Sequence, residues 1–124
     1  MNNLEDIVIP LITFQIQMKI YHWQTTNYAR HIASDALVTD IAAKIDQFVE
    51  TVQGARNIRV VLKSGLIELG NVTDSSAISM LGVFKNWLEK ALPSLIMKDE
   101  TDLMNQRDEM LSLVNKTLYL FTLN

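Results

Sequence analysis

The side chains best suited to chemistry in this chain are two imidazoles and a handful of carboxylates. The only histidines, His22 and His31, lie close together in sequence, and Asp35 follows His31 at i+4. Farther on, Asp46 and Glu50 again stand at i and i+4. On a helix each such pair shares one face. Imidazole nitrogen combined with carboxylate oxygen is a donor set for iron, and zinc or manganese would also be accommodated. The plainer alternatives are a solvated helix face for the carboxylates and, for His22, an interior ring donating to a carbonyl. Other chemistries find no footing. With no cysteine, thiol nucleophiles, disulfides and cysteine-type zinc sites are excluded. A Gly-rich phosphate loop, a G-x-S-x-G elbow and HExxH are all missing. Neither histidine follows a Glu by three, which disfavours a di-iron site built inside one bundle.

Four helical stretches must carry these residues. From Leu4 to Thr26, Leu4, Ile7, Leu11, Phe14, Met18 and Tyr21 recur at helical spacing, with Pro10 expected to bend the helix locally. A second helix is predicted from Asn27, a candidate N-cap, to Gln53, with Leu37, Ile41, Ile45, Phe48 and Val52 on one stripe and Gly54 as its stop. Residues 55–74 are broken by Gly65, Gly70 and Asn71, and Val60-Val61-Leu62 reads as a short helix or an extended piece. After a cap at Thr73 or Asp74 a third helix carries Ile78, Leu81, Phe84, Leu88 and Leu92 inward until Pro93 ends or kinks it. The fourth runs from about Asp99 to Leu120, with Met104, Leu111, Val114, Leu118 and Phe121 on a stripe that Arg107 interrupts. One all-α domain spanning residues 1–124 is the expected packaging. A connection of some 20 residues can reach about 66 Å at roughly 3.3 Å per residue, so it can return along a whole bundle. Either it is the long crossover of a ferritin-like four-helix bundle, between the second and third helices, or it is a decorated loop.

Helix geometry then restricts the site. His31 and Asp46 are about 22 Å apart along one straight helix at roughly 1.5 Å per residue, whereas metal ligands sit roughly 2 Å from their ion. They cannot meet on one metal within one chain. Two copies with antiparallel second helices would bring His22, His31 and Asp35 of one against Asp46 and Glu50 of the other, twice per dimer.

The run Lys19-Ile20-Tyr21-His22-Trp23, then His31-x3-Asp35, then Asp46-x3-Glu50, resembles the Dps-like ferritins, the DNA-protection-during-starvation proteins. That family has a His-Trp near the end of its first helix, and its second helix repeats the intervals of four, eleven and four residues found here. The interval from His22 to His31 is shorter than the family's. The resemblance implies an inter-subunit ferroxidase site with His22, His31 and Asp35 from one subunit and Asp46 and Glu50 from its partner. It implies Fe(II) oxidation by peroxide or dioxygen, and iron storage in a shell of up to twelve subunits. Trp23 would lie near that site in the family's scheme; ordinary burial at a helix end is the reading favoured by its chemistry. A ferritin-like bundle that has lost catalysis and serves a structural or interaction role is the alternative, and an unrelated four-helix adaptor is a third reading.

Composition limits the partners. Eleven basic against fourteen acidic residues give a formal charge of -3, and Arg56, Arg59 and Lys63 are the densest basic stretch, so nucleic acid is not expected as a partner. Basic tails of the kind that serve DNA binding in some Dps proteins are absent. The acidic start Met1-Asn2-Asn3-Leu4-Glu5-Asp6 lacks a secretory signal's cationic opening, and no apolar run reaches the roughly 20 residues of a membrane span. A soluble cytoplasmic homo-oligomer is expected. Met80, Met97, Met104 and Met110 read as core filler, and Gln15, Gln17 and Gln24 as surface or interface groups.

Overall fold

The computed structural model describes residues 4–63 and 65–123. Its α-helices are α1 (Glu5–Gln24), α2 (Tyr28–Arg56), α3 (Asp74–Asn86) and α4 (Thr101–Leu120), and among the described residues there is no strand. Between α3 and α4 lie a π-helical turn, Trp87–Ala91, and a 3-10 turn, Leu92–Leu95.

Local chemistry sets most of the boundaries. The Asn27 side chain accepts from the Arg30 N–H at 3.0 Å, as an N-cap should. Thr73 and Ser76 form a reciprocal capping box that starts α3. Pro10 stays inside α1, near its start, and the helix continues through it. Gly54 does not stop α2. The helix runs on to Arg56, and Asn57 takes the left-handed position at φ 51° and ψ 48°, because an asparagine side chain tolerates that conformation. Val60-Val61-Leu62 belongs to no regular element.

α1 packs on α2 and α3, and α4 packs on the same two helices. The core between them is continuous from Leu4 to Phe121. Its densest aromatic contact is Phe14 on Phe84, stacked at 3.9 Å and within 6° of parallel. Two expectations shift in detail. Ile78 is exposed, and α4 buries Leu103, Met110, Val114 and Thr117, with Phe121 buried just beyond its end. That face is rotated by about one residue from the expected one because it tolerates Arg107. The guanidinium of Arg107 leaves the core and donates to the Leu88 carbonyl at 2.9 Å. In the π turn the Leu92 N–H pairs with the Trp87 carbonyl. The next N–H in that pattern would belong to Pro93, which has none, so Leu88 needs a donor from elsewhere. Of the four methionines expected in the core, Met110 is fully buried and Met97 lies at the surface.

The segment 57–73 is tied to α1 by side chains. Glu5 Oε1 accepts the Lys63 N–H at 3.1 Å. Gln17 exchanges two hydrogen bonds with the Gly70 backbone, and Gln24 accepts from Val72 and donates to Asn71. The ties therefore climb α1 from its first residue to its last. At the other end of the bundle, Arg56 and Glu100 form a buried two-pronged ion pair at 2.7 and 2.9 Å that joins the end of α2 to the start of α4.

Candidate metal-ligand cluster at the helix joint

The three residues between α1 and α2 turn the chain so sharply that the last turn of one helix faces the first turn of the next. This brings His22 and His31 together, and the short interval between them does not keep them apart. Their rings stack, with centroids 4.0 Å apart and planes 18° from parallel. Each ring is anchored by the other's backbone: His22 Nδ1 lies 2.9 Å from the His31 carbonyl, and His31 Nδ1 lies 2.9 Å from the His22 carbonyl. A carbonyl only accepts, so both Nδ1 atoms carry the proton. In the neutral rings both Nε2 atoms then keep a lone pair, the tautomer that a metal-binding histidine adopts when its other nitrogen is held by a carbonyl.

Ser34 completes the support. It is fully buried, its hydroxyl donates to the His31 carbonyl at 3.1 Å, and its oxygen lies 3.3 Å from His22 Nδ1. Nothing in the sequence spacing singled out Ser34, since a serine three residues after a histidine has no chemical signature of its own. Asp35 brings Oδ1 to 3.8 Å from His22 Nε2. Two ligands each about 2 Å from one ion stand roughly 3–4 Å apart, so this separation suits a shared cation.

The structure thus brings His22 to His31 and, separately, to Asp35, and leaves Asp46 and Glu50 elsewhere. α2 is one unbroken helix, and both of those carboxylates are exposed on its far half. Among the described residues no group of three or more His, Cys, Asp or Glu side chains is placed to hold a metal ion.

Around the joint the surface is aromatic. Trp23 is 68% exposed, which corrects the expectation of burial at a helix end, and Lys19 Nζ stands 5.7 Å from its ring. The chain turns at a tight joint here, so the side chain that follows buried His22 points outward. Tyr28 is 77% exposed with its ring 6.4 Å from that of His31. Tyr21, by contrast, faces inward. Its hydroxyl donates to Asp74 at 2.7 Å and accepts from Arg30 at 3.0 Å, while Thr25 donates to the same carboxylate oxygen at 2.8 Å. The Tyr21 and Thr25 hydroxyls hold the Asp74 carboxyl below its usual range. Burial, with the Asp74 carboxylate second, pushes the Tyr21 phenol up.

A family profile described as "Family of unknown function (DUF5856)" matches residues 22–121. The chain belongs to this family. The matched DUF5856 stretch opens at His22 and contains all five candidate ligands. No curated protein and no solved structure is detectably similar to the chain.

Proposed function

We propose that this DUF5856 chain binds and oxidises Fe(II) at a site shared between two copies, with His22, His31 and Asp35 from one and Asp46 and Glu50 from the other. The observation that carries this reading is the histidine pair itself. A buried and a half-buried ring are fixed through Nδ1, which leaves each Nε2 as the ring's acceptor, and an Asp35 oxygen stands 3.8 Å from His22 Nε2. The missing ligands are carried by α2 in mirrored order. Asp35 and Asp46, and likewise His31 and Glu50, are symmetric about the same point, between Asp40 and Ile41. Antiparallel pairing of two α2 helices about that point sets each histidine-bearing half against a carboxylate-bearing half, on two equivalent sites. Thr39 and Ala42 flank the centre and are small enough for close approach of the backbones.

In this reading iron is the substrate. The carboxylates would neutralise it and the imidazoles would complete a site with room for the oxidant. Two Fe(II) give up one electron each, and those two electrons with two protons from solvent take one hydrogen peroxide to two waters. The bundle would be ferritin-like, with segment 57–73 as its long crossover. The hydrogen bonds that climb α1 support that arrangement. Storage of the oxidised iron in a shell would follow from further assembly, read as oligomeric mass with and without iron.

The test is anaerobic loading with Fe(II) followed by hydrogen peroxide, watching Fe(III) absorbance. Fast oxidation is expected, with its loss in His31→Ala and in Glu50→Ala. Refolding the two variants together should restore it, because a mixed dimer keeps one intact site. A chain that binds no iron above background, or variants that fail to complement, overturns the proposal. A scaffold without catalysis is the second reading. It is favoured by the exposure of Asp46 and Glu50 in the single chain, and it expects a dimer that leaves Fe(II) unoxidised.

A further inference from the structure

Two residue pairs lie side by side across the joint between α1 and α2. Tyr21 and Arg30 directly precede His22 and His31, and both pairs span nine residues. The histidines grip each other's backbone through their rings, whereas Tyr21 and Arg30 meet through their side chains at 3.0 Å. The start of α3 closes this second pair. Asp74, the first residue of α3, accepts on one carboxylate oxygen from the Tyr21 hydroxyl at 2.7 Å and the Thr25 hydroxyl at 2.8 Å. Its backbone carbonyl accepts from Arg30 Nη1 at 3.0 Å. The guanidinium of Arg30 also lies 4.4 Å from the centre of the Phe121 ring. Just before Asp74, Asn71 and Val72 are bonded to Gln24, the last residue of α1. The chain entering α3 is thus fastened to both sides of the joint.

We infer that Asp74 is a positioning residue for the histidine pair, holding the joint at the separation that fixes both rings in one tautomer. The inference rests on the hydrogen bonds of the single chain and not on iron oxidation or on pairing of two copies. Crossed anchoring makes the link. Each ring reaches a carbonyl of the other helix at 2.9 Å, so the distance between the two backbones decides whether either ring is held. N–H···O bonds fall between about 2.7 and 3.2 Å, so an opening of less than about 1 Å releases both rings. Residues 25–27, the connection itself, form no regular structure, and the side-chain bonds across it set the spacing. Ser34 supports the rings from within α2, and Asp74 does so from a third helix. Once released, an imidazole exchanges between its two neutral tautomers, and Nε2 carries the proton for part of the time. Attachment of α3 therefore governs whether both Nε2 atoms stay available as acceptors.

The chain has only two histidines, so ring-nitrogen NMR of the metal-free protein reports on this pair alone. At about pH 9, where imidazole is uncharged, both rings should show a protonated Nδ1 and a bare Nε2. Asp74 is exposed, and truncating it removes no core packing. Asp74→Ala should move both rings to the averaged shifts of exchanging tautomers. Asp74→Asn keeps an oxygen acceptor and should restore the native signature. Glu100→Gln, which weakens the opposite end of the bundle, should leave both rings as they are. Should Asp74→Ala not fold by circular dichroism, Tyr21→Phe removes the same link and should give the same shifts. Native ring signals in the variant lacking the link, failure of the Asn variant to restore them, or an equal change in Glu100→Gln overturns the inference. Rings that depend on Asp74 in a chain leaving Fe(II) unoxidised would sink the ferroxidase reading alone. Rings indifferent to Asp74 in a chain that oxidises iron would sink this one alone.

Discussion

Tyr21 and His22 are neighbours with opposite assignments, and the helix separates them. One turns its ring into the core and its hydroxyl onto Asp74, and the other turns back to the joint and the His31 carbonyl. The Tyr21 hydroxyl is a donor to one group and an acceptor from another, so Tyr21→Phe leaves both short of a partner. The expected cost is about 1–3 kcal/mol, read as a lower urea midpoint, with the Asp74 carboxyl returning toward its ordinary range in a titration. At this scale the meeting of His22 with His31 and with Asp35 was legible. Residue type and interval alone group His22, His31 and Asp35 around one helical joint. Ser34 was not legible, because its role depends on a carbonyl and a ring that only the joint brings to it. The outward turn of Trp23 was not legible for the same reason.

Among the elements, helix periodicity placed α1 to α4 within a few residues, since an apolar stripe at three and four is hard to bury any other way. The stop of α2 was misplaced because glycine is the commonest terminator, whereas the left-handed residue here is Asn57. The irregular piece after α3 shows how one proline propagates. Pro93 cannot donate to the Leu88 carbonyl that the π pattern would pair it with, and α4 supplies Arg107 to that carbonyl from its core-facing side. Arg107→Ala should therefore destabilise the bundle by about 1–3 kcal/mol, the usual cost of an orphaned buried acceptor. Arg107→Lys should recover part of it. Urea unfolding followed by circular dichroism distinguishes the three chains.

Across the whole molecule, the Arg56–Glu100 pair closes the end of the bundle far from the histidines. Side-chain exposures of 5% and 10% make it a buried ion pair. Breaking one side by Arg56→Ala leaves a buried carboxylate uncompensated, at an expected cost of about 3–5 kcal/mol in urea unfolding. The hydrogen bonds from Arg56, with the Met97 N–H assisting, hold the Glu100 carboxyl below its ordinary value. A depressed folded-state pKa gives stability that is fully present above the unfolded value and disappears as pH falls through the folded one. The urea midpoint should thus drop on acidification below about pH 4, and less steeply in Glu100→Gln. Sequence by itself determined an all-helical chain and the positions of its helices, and it singled out the imidazoles and carboxylates as donor groups, because periodicity and donor chemistry are local properties. Only tertiary structure decided which of those residues meet. The tight joint stacks two rings through each other's carbonyls, whereas an unbroken α2 keeps Asp46 and Glu50 a helix-length away, and no spacing rule contains the turn that makes the difference.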